Sequence, residues 1–372
     1  MSTPVVLVGA GGMGRAWLAA IQADPGAELA GVVDLDTSAA RAALADAGLS
    51  GVPVGTDAVA LARETGARAV VDVTVPAAHH PVTTAALVAG LPVLGEKPAA
   101  ATVAESLSLV AAAEVTGQLF VVSQSRRYNR RLFAFREQAR TLGDLGVLTT
   151  EFFKAPRFGG FREEMAHPLL LDMAIHPFDT ARFLLGAEPV SVYCEEFNPP
   201  WSWYDGDAAA TAVFEMTGGQ RYVYTGSWCS PGRETSWNGE WRLSGAQGTA
   251  RWDGDHDPEL DPAPDGGPVD PPAPATDPGE GIAGSLATFL AALDGGPVPM
   301  GEVHENVLSL VMVEAAVESA RTGSRVLLDD VLERAYRQAL AQETRDDVRA
   351  RLESWTSVRA ALELGRAPAT AR

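Results

Sequence analysis

Along the first 123 residues, short apolar runs alternate with longer stretches of helical composition. The runs at 4–8, 29–33, 69–75, 93–94 and 119–122 are continuously apolar, as strands buried on both faces are. Segments at 15–23, 37–47, 77–89 and 102–116 read as the helices between them, with Thr37 and Ser38 placed to cap the second and Gly48 to stop it. Strands separated by helices of this length imply right-handed crossovers and a parallel sheet. From about Arg126 the rhythm changes. Helices at 132–141 and 168–185 bracket a strand at 148–154, and further strand-like runs follow at 190–197, 209–216, 221–228, 240–244 and 248–252. Gly218-Gly219 falls where a hairpin needs its turn. Successive strands without intervening helices predict a large, mostly antiparallel open sheet. Helices at 282–293 and 303–322 and a helical tail from 329 to 364 complete the pattern.

The fold class expected is therefore α/β: an N-terminal Rossmann parallel-sheet domain over 1–124, an α+β domain over 125–328 and a helical C-terminal tail over 329–372. Residues 253–280 carry eight prolines, nine acidic residues and no Lys or Arg. Such a segment buries too little apolar surface to fold and reads as a mobile surface loop. The whole chain holds 29 Lys and Arg against 48 Asp and Glu, a net −19, which argues against nucleic acid or an anionic membrane as main partner. No basic, leader-like N-terminus and no apolar stretch near 18 residues is present, so a cytoplasmic protein is expected. Cys194 and Cys229, like the adjacent His79-His80, lack ligand spacing, and no metal site is expected.

Gly9-Ala10-Gly11-Gly12-Met13-Gly14 fits G-x-G-x-x-G, follows a strand, opens a helix, and precedes Asp34 by 20 residues. In that context Gly9 permits the tight turn, Gly11 lets the backbone approach a pyrophosphate, and Gly14 lets helix and strand pack closely. The diphosphate would sit on free N–H groups at the helix N-terminus. Asp34 would accept hydrogen bonds from the adenosine ribose hydroxyls and repel a 2′-phosphate, which favours NAD over NADP.

Four stretches carry a resemblance to the glucose–fructose oxidoreductase / inositol dehydrogenase / rhizopine-catabolism (Gfo/Idh/MocA) family of NAD(P)-dependent oxidoreductases. They are Gly9 to Gly14; Thr74-Val75-Pro76-Ala77-Ala78-His79; Glu96-Lys97-Pro98; and the run from Leu171-Asp172 through His176-Pro177 to Asp179. Gln124 to Arg131 resembles the family's arginine-rich start of the second domain, and 303–323 its closing helix, so the likeness spans about residues 3 to 326. Ala174 departs from the glycine frequent there. The resemblance implies a dehydrogenase or reductase acting on CH–OH groups of a sugar, inositol or sugar derivative. It also implies a cis Lys97-Pro98 bond, and a homodimer or homotetramer built by pairing second-domain sheets.

Lys97, at the carboxyl edge of the parallel sheet, could stabilise alkoxide character as hydride leaves the carbon. Asp172 and His176 are four apart, so one helix face presents both. An imidazole can take the hydroxyl proton in oxidation and return it in reduction, while Asp172 could bind substrate. On spacing alone the pair reads equally as a helix closing on its sheet; the family motif favours the catalytic reading of Lys97, Asp172 and His176. Pro177 implies that this helix starts or bends near Asp172. By resemblance Thr74, His79, Glu96 and Lys97 join Gly9, Gly11, Gly12, Met13, Gly14 and Asp34 at the cofactor, with helix capping the alternative for His79. Arg127, Arg157, His167, Asp172 and Trp201 are candidate substrate contacts, with Arg162 in the same loop as Arg157 and His167 also placed to meet a polyol, although helix-start arginines are more often solvated. Six second-domain tryptophans could stack on sugar faces, yet most suit a sheet core or subunit interface. The same motifs would also serve redox-assisted glycoside cleavage, or an NAD-binding sensor without turnover.

Overall fold

The structure is a computed structural model that describes residues 2–264, 273 and 275–364. Its first stretch runs β1 (Thr3–Val8), α1 (Gly12–Ala23), β2 (Ala27–Val33), α2 (Thr37–Asp46), β3 (Val54–Gly55), α3 (Ala58–Thr65), β4 (Ala69–Asp72), α4 (Pro76–Val88), β5 (Val93–Glu96), α5 (Val103–Thr116) and β6 (Phe120–Ser123). The strands pair in parallel in the order β3-β2-β1-β4-β5-β6, the doubly wound arrangement expected. Strand order reverses beside β1, which marks the carboxyl edge there as the ligand crevice of such sheets. The cap of α2 is Asp36, whose carboxylate accepts from the Ser38 and Ala39 amides, rather than Thr37 or Ser38. The pair β3 and α3 has no counterpart in the pattern above. A strand of two residues has no periodicity to read, and α3 shows itself only by its Asp57 cap and left-handed Gly66 stop.

The chain continues through α6 (Arg130–Arg140), β7 (Leu145–Phe153), a π-helical turn (Leu169–Ala174), α7 (Ile175–Leu185), β8 (Pro189–Phe197), β9 (Ala209–Met216), β10 (Arg221–Ser227), β11 (Glu240–Gly245), β12 (Gly248–Trp252), β13 (Glu259–Pro262), α8 (Gly281–Leu293), α9 (Val303–Thr322), β14 (Val326–Leu327), α10 (Leu328–Gln342), α11 (Asp346–Glu353) and α12 (Val358–Leu364). The second sheet has the order β13-β12-β11-β7-β10-β9-β8-β14 and is antiparallel except where β7 meets β10. Its strands alternate as a one-sided sheet should: Tyr222 and Tyr224 are buried while Arg221, Val223 and Thr225 are half-buried. Trp228, Trp241 and Trp252 are core residues.

Two expectations change. Part of the acidic segment is structured, since β13 extends the sheet beyond β12 and Arg251 meets Glu259 and Asp261 at 3.0 and 3.1 Å. Opposite charges across neighbouring strands make an edge out of acidic sequence; residues 265–272 and 274 of that segment lie outside the described residues. Nor does the tail form a separate region. The chain divides into one unit of residues 1–125, 279–307 and 332 onward, and a second of 126–278 and 308–331. Within the first unit α8 packs on α1 and α11 on α5.

A half-buried polar knot ties this tail down. Glu114 of α5 accepts from Arg351 Nε at 2.9 Å, Trp355 Nε1 at 2.9 Å and His304 Nε2 at 3.2 Å, while His304 Nδ1 meets Glu302 at 2.7 Å. Burial works against both charges. The surrounding hydrogen bonds prevail, holding Glu114 down at about 2 and lifting His304 to about 9. A second knot lies in the other unit. Asp179 of α7 takes Arg127 Nε at 2.6 Å and Nη2 at 2.8 Å, and Ser309 Oγ donates to it at 2.6 Å. Arg182 donates to that same Ser309 oxygen at 2.7 Å and also pairs with Glu188 at 2.7 Å. Arg127 and Asp179 are 2% and 1% exposed, so neither charge has water to fall back on.

Raised on folding, the His304 pKa contributes stability that is full below its usual 6.5 and lost as pH climbs through about 9. Lowered on folding, that of Glu114 contributes above 4.5 and is lost as pH falls toward about 2. Melting temperature should therefore decline from pH 6.5 to 9, and His304→Gln should flatten that decline. An equal slope in the variant would remove the histidine from the account. Asp179→Ala takes the carboxylate from the buried Arg127 guanidinium and should lower unfolding free energy by about 3–5 kcal/mol in denaturant titrations. A loss below about 1 kcal/mol, the scale of an exposed pair, would contradict it.

Candidate active site

The glycine turn after β1 combines two demands. A Cβ on Gly9 (φ +101°) would lie 2.6 Å from Val73 O, and one on Gly14 would lie 2.2 Å from Gly9 O. Those two glycines are required by packing. A Cβ on Gly11 or Gly12 would meet nothing within 4 Å. Glycine at these two positions leaves room at the start of α1, where no side chain caps the helix. First-turn amides facing open space suit a diphosphate. Asp34 closes the edge: its carboxylate accepts from the Ala10 amide at 2.8 Å and the Asp36 amide at 2.9 Å. The residues present thus fit a dinucleotide. Met13, Leu35 and Val75 are 47%, 91% and 60% exposed at this carboxyl edge. Leu35 carries no motif and Val75 falls in the Thr74-to-His79 stretch; beside Asp34 and Thr74 the two exposed apolar side chains suit a bed for a planar base.

Around Lys97 the candidate residues turn out to support one another. The Lys97-Pro98 bond is cis. Glu96 is 8% exposed. Its two oxygens accept from Trp17 Nε1 of α1 at 2.8 Å and from the Lys97 amide at 3.1 Å. His79 is 2% exposed, with Nδ1 2.7 Å from Pro98 O and Nε2 2.9 Å from Thr74 O. Thr74 in turn donates its hydroxyl to Asp72, a carboxyl pushed up by burial against the nearby His79. Glu96 and His79 were expected at the cofactor. Both His79 nitrogens and both Glu96 oxygens bond within the protein, which shapes the turn that carries Lys97.

In the second unit Asp172 sits in the π-helical turn and His176 in the first turn of α7, one helical turn apart. The wide turn answers the problem of Pro177, which has no N–H for the carbonyl four residues back. His176 is 8% exposed. Asp172 accepts from Arg162 Nε at 3.1 Å. His167 Nδ1 lies 2.7 Å from Glu196, whose carboxyl is pushed up to about 8 by burial and then by the Asp207 charge. Arg157 places its guanidinium carbon over Trp203, 3.9 Å from the ring centroid. Trp201 is 59% exposed and donates Nε1 to Cys229 O at 2.9 Å. Arg127 departs from its expectation as a substrate contact, since both sides of its fork are spent on buried Asp179. Arg162, expected in the loop as a polyol contact, also braces Asp172, while Glu196 carried no signal because its partner His167 lies 29 residues away.

Among the described residues no three His, Cys, Asp or Glu side chains are grouped to hold a metal ion, and no helix is long and apolar enough to cross a membrane. Residues 3–124 match the family described as an oxidoreductase family with an NAD-binding Rossmann fold, and residues 138–251 match the Gfo/Idh/MocA C-terminal domain. Inositol 2-dehydrogenase 4 of Saccharopolyspora erythraea is 36% identical over 195 residues, 50% of this chain and 55% of that protein. The match with that enzyme thus spans about half its length. D-apiose dehydrogenase of Paraburkholderia graminis is 29% identical over 87% of this chain and 88% of its own. An Agrobacterium radiobacter oxidoreductase, solved with NAD+, L-tartaric acid and magnesium, superposes with a TM-score of 0.78 at 21% identity, covering 89% of this chain and 100% of that one. With both domains matched over more than half its length, the chain belongs to the Gfo/Idh/MocA family of NAD-binding oxidoreductases.

Proposed function

We propose that this protein is an NAD-dependent dehydrogenase that moves hydride between the nicotinamide and a hydroxyl or keto carbon of a sugar, inositol or sugar derivative. The observation that carries the reading is the Asp172–His176 pair on a helix anchored by Asp179 and Arg127. NAD bound on the glycine turn supplies the hydride acceptor. His176 takes the hydroxyl proton during oxidation and returns it in reduction. Lys97 donates to the reacting oxygen and favours its alkoxide character. Asp172 accepts from a substrate hydroxyl, and Asp34 from the ribose hydroxyls, which sets NAD above NADP. Arg157, His167 and Trp201 are the candidate specificity contacts. The names of the inositol and apiose dehydrogenases support a polyol or sugar substrate. Exposed Val147, Val190, Tyr193, Phe197 and Leu327 suit a homodimer or homotetramer built on the second sheet.

NADH absorbance recorded with NAD and a panel of sugars and inositols tests the reading; reduction by one class is expected, and a flat trace with NAD bound would defeat it. His176→Ala should cut that turnover by about 10²–10⁴-fold with NAD affinity nearly unchanged, and full activity would remove the assigned role. Gly11→Val should abolish NAD binding in calorimetry at an unchanged melting temperature, because its side chain enters open space. Gly14→Val, whose Cβ meets Gly9 O, should lower the melting temperature itself. Equal behaviour of the two variants would mean that no ligand-sized opening exists at Gly11.

A further inference from the structure

The strap between Pro156 and Ala166 is stapled to the loop before β9. Tyr204 donates to Pro156 O at 2.9 Å, the Asp205 amide to Glu163 O at 2.9 Å, and the Asp207 amide to Ala166 O at 3.0 Å. Gly159 and Gly160 turn the strap with φ of +67° and +64°. It delivers Arg162 to Asp172. The guanidinium is flanked by the Phe158 and Phe161 rings, 5.3 and 4.9 Å from their centroids, although those rings are themselves 46% and 59% exposed. Two aromatic faces and one carboxylate bond fix the plane of the fork before any ligand arrives.

Among the described residues only Nε of that fork has a hydrogen-bond acceptor. Among the described residues, neither Nη group of Arg162 has an acceptor, and Arg157, stacked on Trp203, has no carboxylate partner. In a chain with 48 acidic and 29 basic side chains, acidic partners are plentiful, so two arginines left this open on one strap are conspicuous. A neutral polyol gains little from them. A substrate carrying a carboxylate would be repelled by Asp172, and Arg162, touching that same aspartate, is placed to offset the repulsion. Two parallel N–H groups match the two oxygens of a carboxylate.

We infer that Arg162 is a specificity-determining residue whose Nη groups bind the carboxylate of a sugar acid beside the hydroxyl held by Asp172. This rests on the reading of Asp172 as a substrate contact. The test is calorimetry of the NADH-loaded protein with D-glucuronate, D-galacturonate, their parent sugars and glucose 6-phosphate. The uronates should bind about tenfold to a hundredfold more tightly than the parent sugars, the scale of a charge-assisted pair. Arg162→Gln should erase that preference and Arg162→Lys keep part of it, each at an unchanged melting temperature. Equal affinity for uronate and parent sugar, absence of uronate binding, a preference for the phosphate, or an equal loss for both sugar classes in Arg162→Gln would each overturn the inference. Uronates that bind by way of Arg162 yet never reduce NAD would sink the dehydrogenase reading and leave this one standing. NAD reduction by neutral sugars without uronate preference would do the reverse.

Discussion

Asp179 is the carboxylate on which the second unit depends. A buried anion is tolerable only where enough donors surround it, and this one has both arms of Arg127 and the Ser309 hydroxyl. Arg127 precedes α6, Asp179 lies in α7 and Ser309 in α9, so one ion gathers three elements. It also sits three residues beyond His176 on the same helix, which leaves the imidazole little freedom to wander. The position of His176, the proton-transfer residue proposed above, is thus fixed by a buried ion pair.

The first unit solves a comparable problem with absence instead of charge. Gly9 and Gly14 are glycine because backbone atoms leave no space, whereas Gly11 and Gly12 are glycine where space is abundant. One motif therefore mixes residues that serve folding with residues that serve a ligand. The turn at Lys97 has a similar division. Glu96 and His79 use all their polar atoms to clamp their neighbours, and Lys97 stands out as the group they present.

Most of this architecture was legible in the chain. Continuous apolar runs announced the parallel strands, and G-x-G-x-x-G with Asp34 announced the crevice, because both are local signals. What escaped was set by partners distant in sequence. Arg127 looked like a solvated helix-start arginine until Asp179, 52 residues on, took its fork. Glu96 and His79 also clamp the Lys97 turn, a duty no local pattern announces because their partners Trp17 and Pro98 lie 79 and 19 residues away. Arg162 sat in a glycine-rich loop without periodicity, and nothing along the chain pairs it with Asp172. The edge strand β13 was hidden by composition, since acidic, proline-rich sequence becomes a strand only when Arg251 stands opposite.

The knot at Glu114 has a consequence in time as well as in space. Arg351 and Trp355 reach that residue from 237 and 241 positions further along the chain. During synthesis the parallel sheet emerges first, but the half-buried glutamate on α5 waits 237 and 241 residues for two of its donors. Until then the unit carries an unanswered carboxylate under an uncovered helix. Closure of the N-terminal unit therefore comes well after its sheet is made, and synthesis halted before Arg351 leaves that unit unsealed.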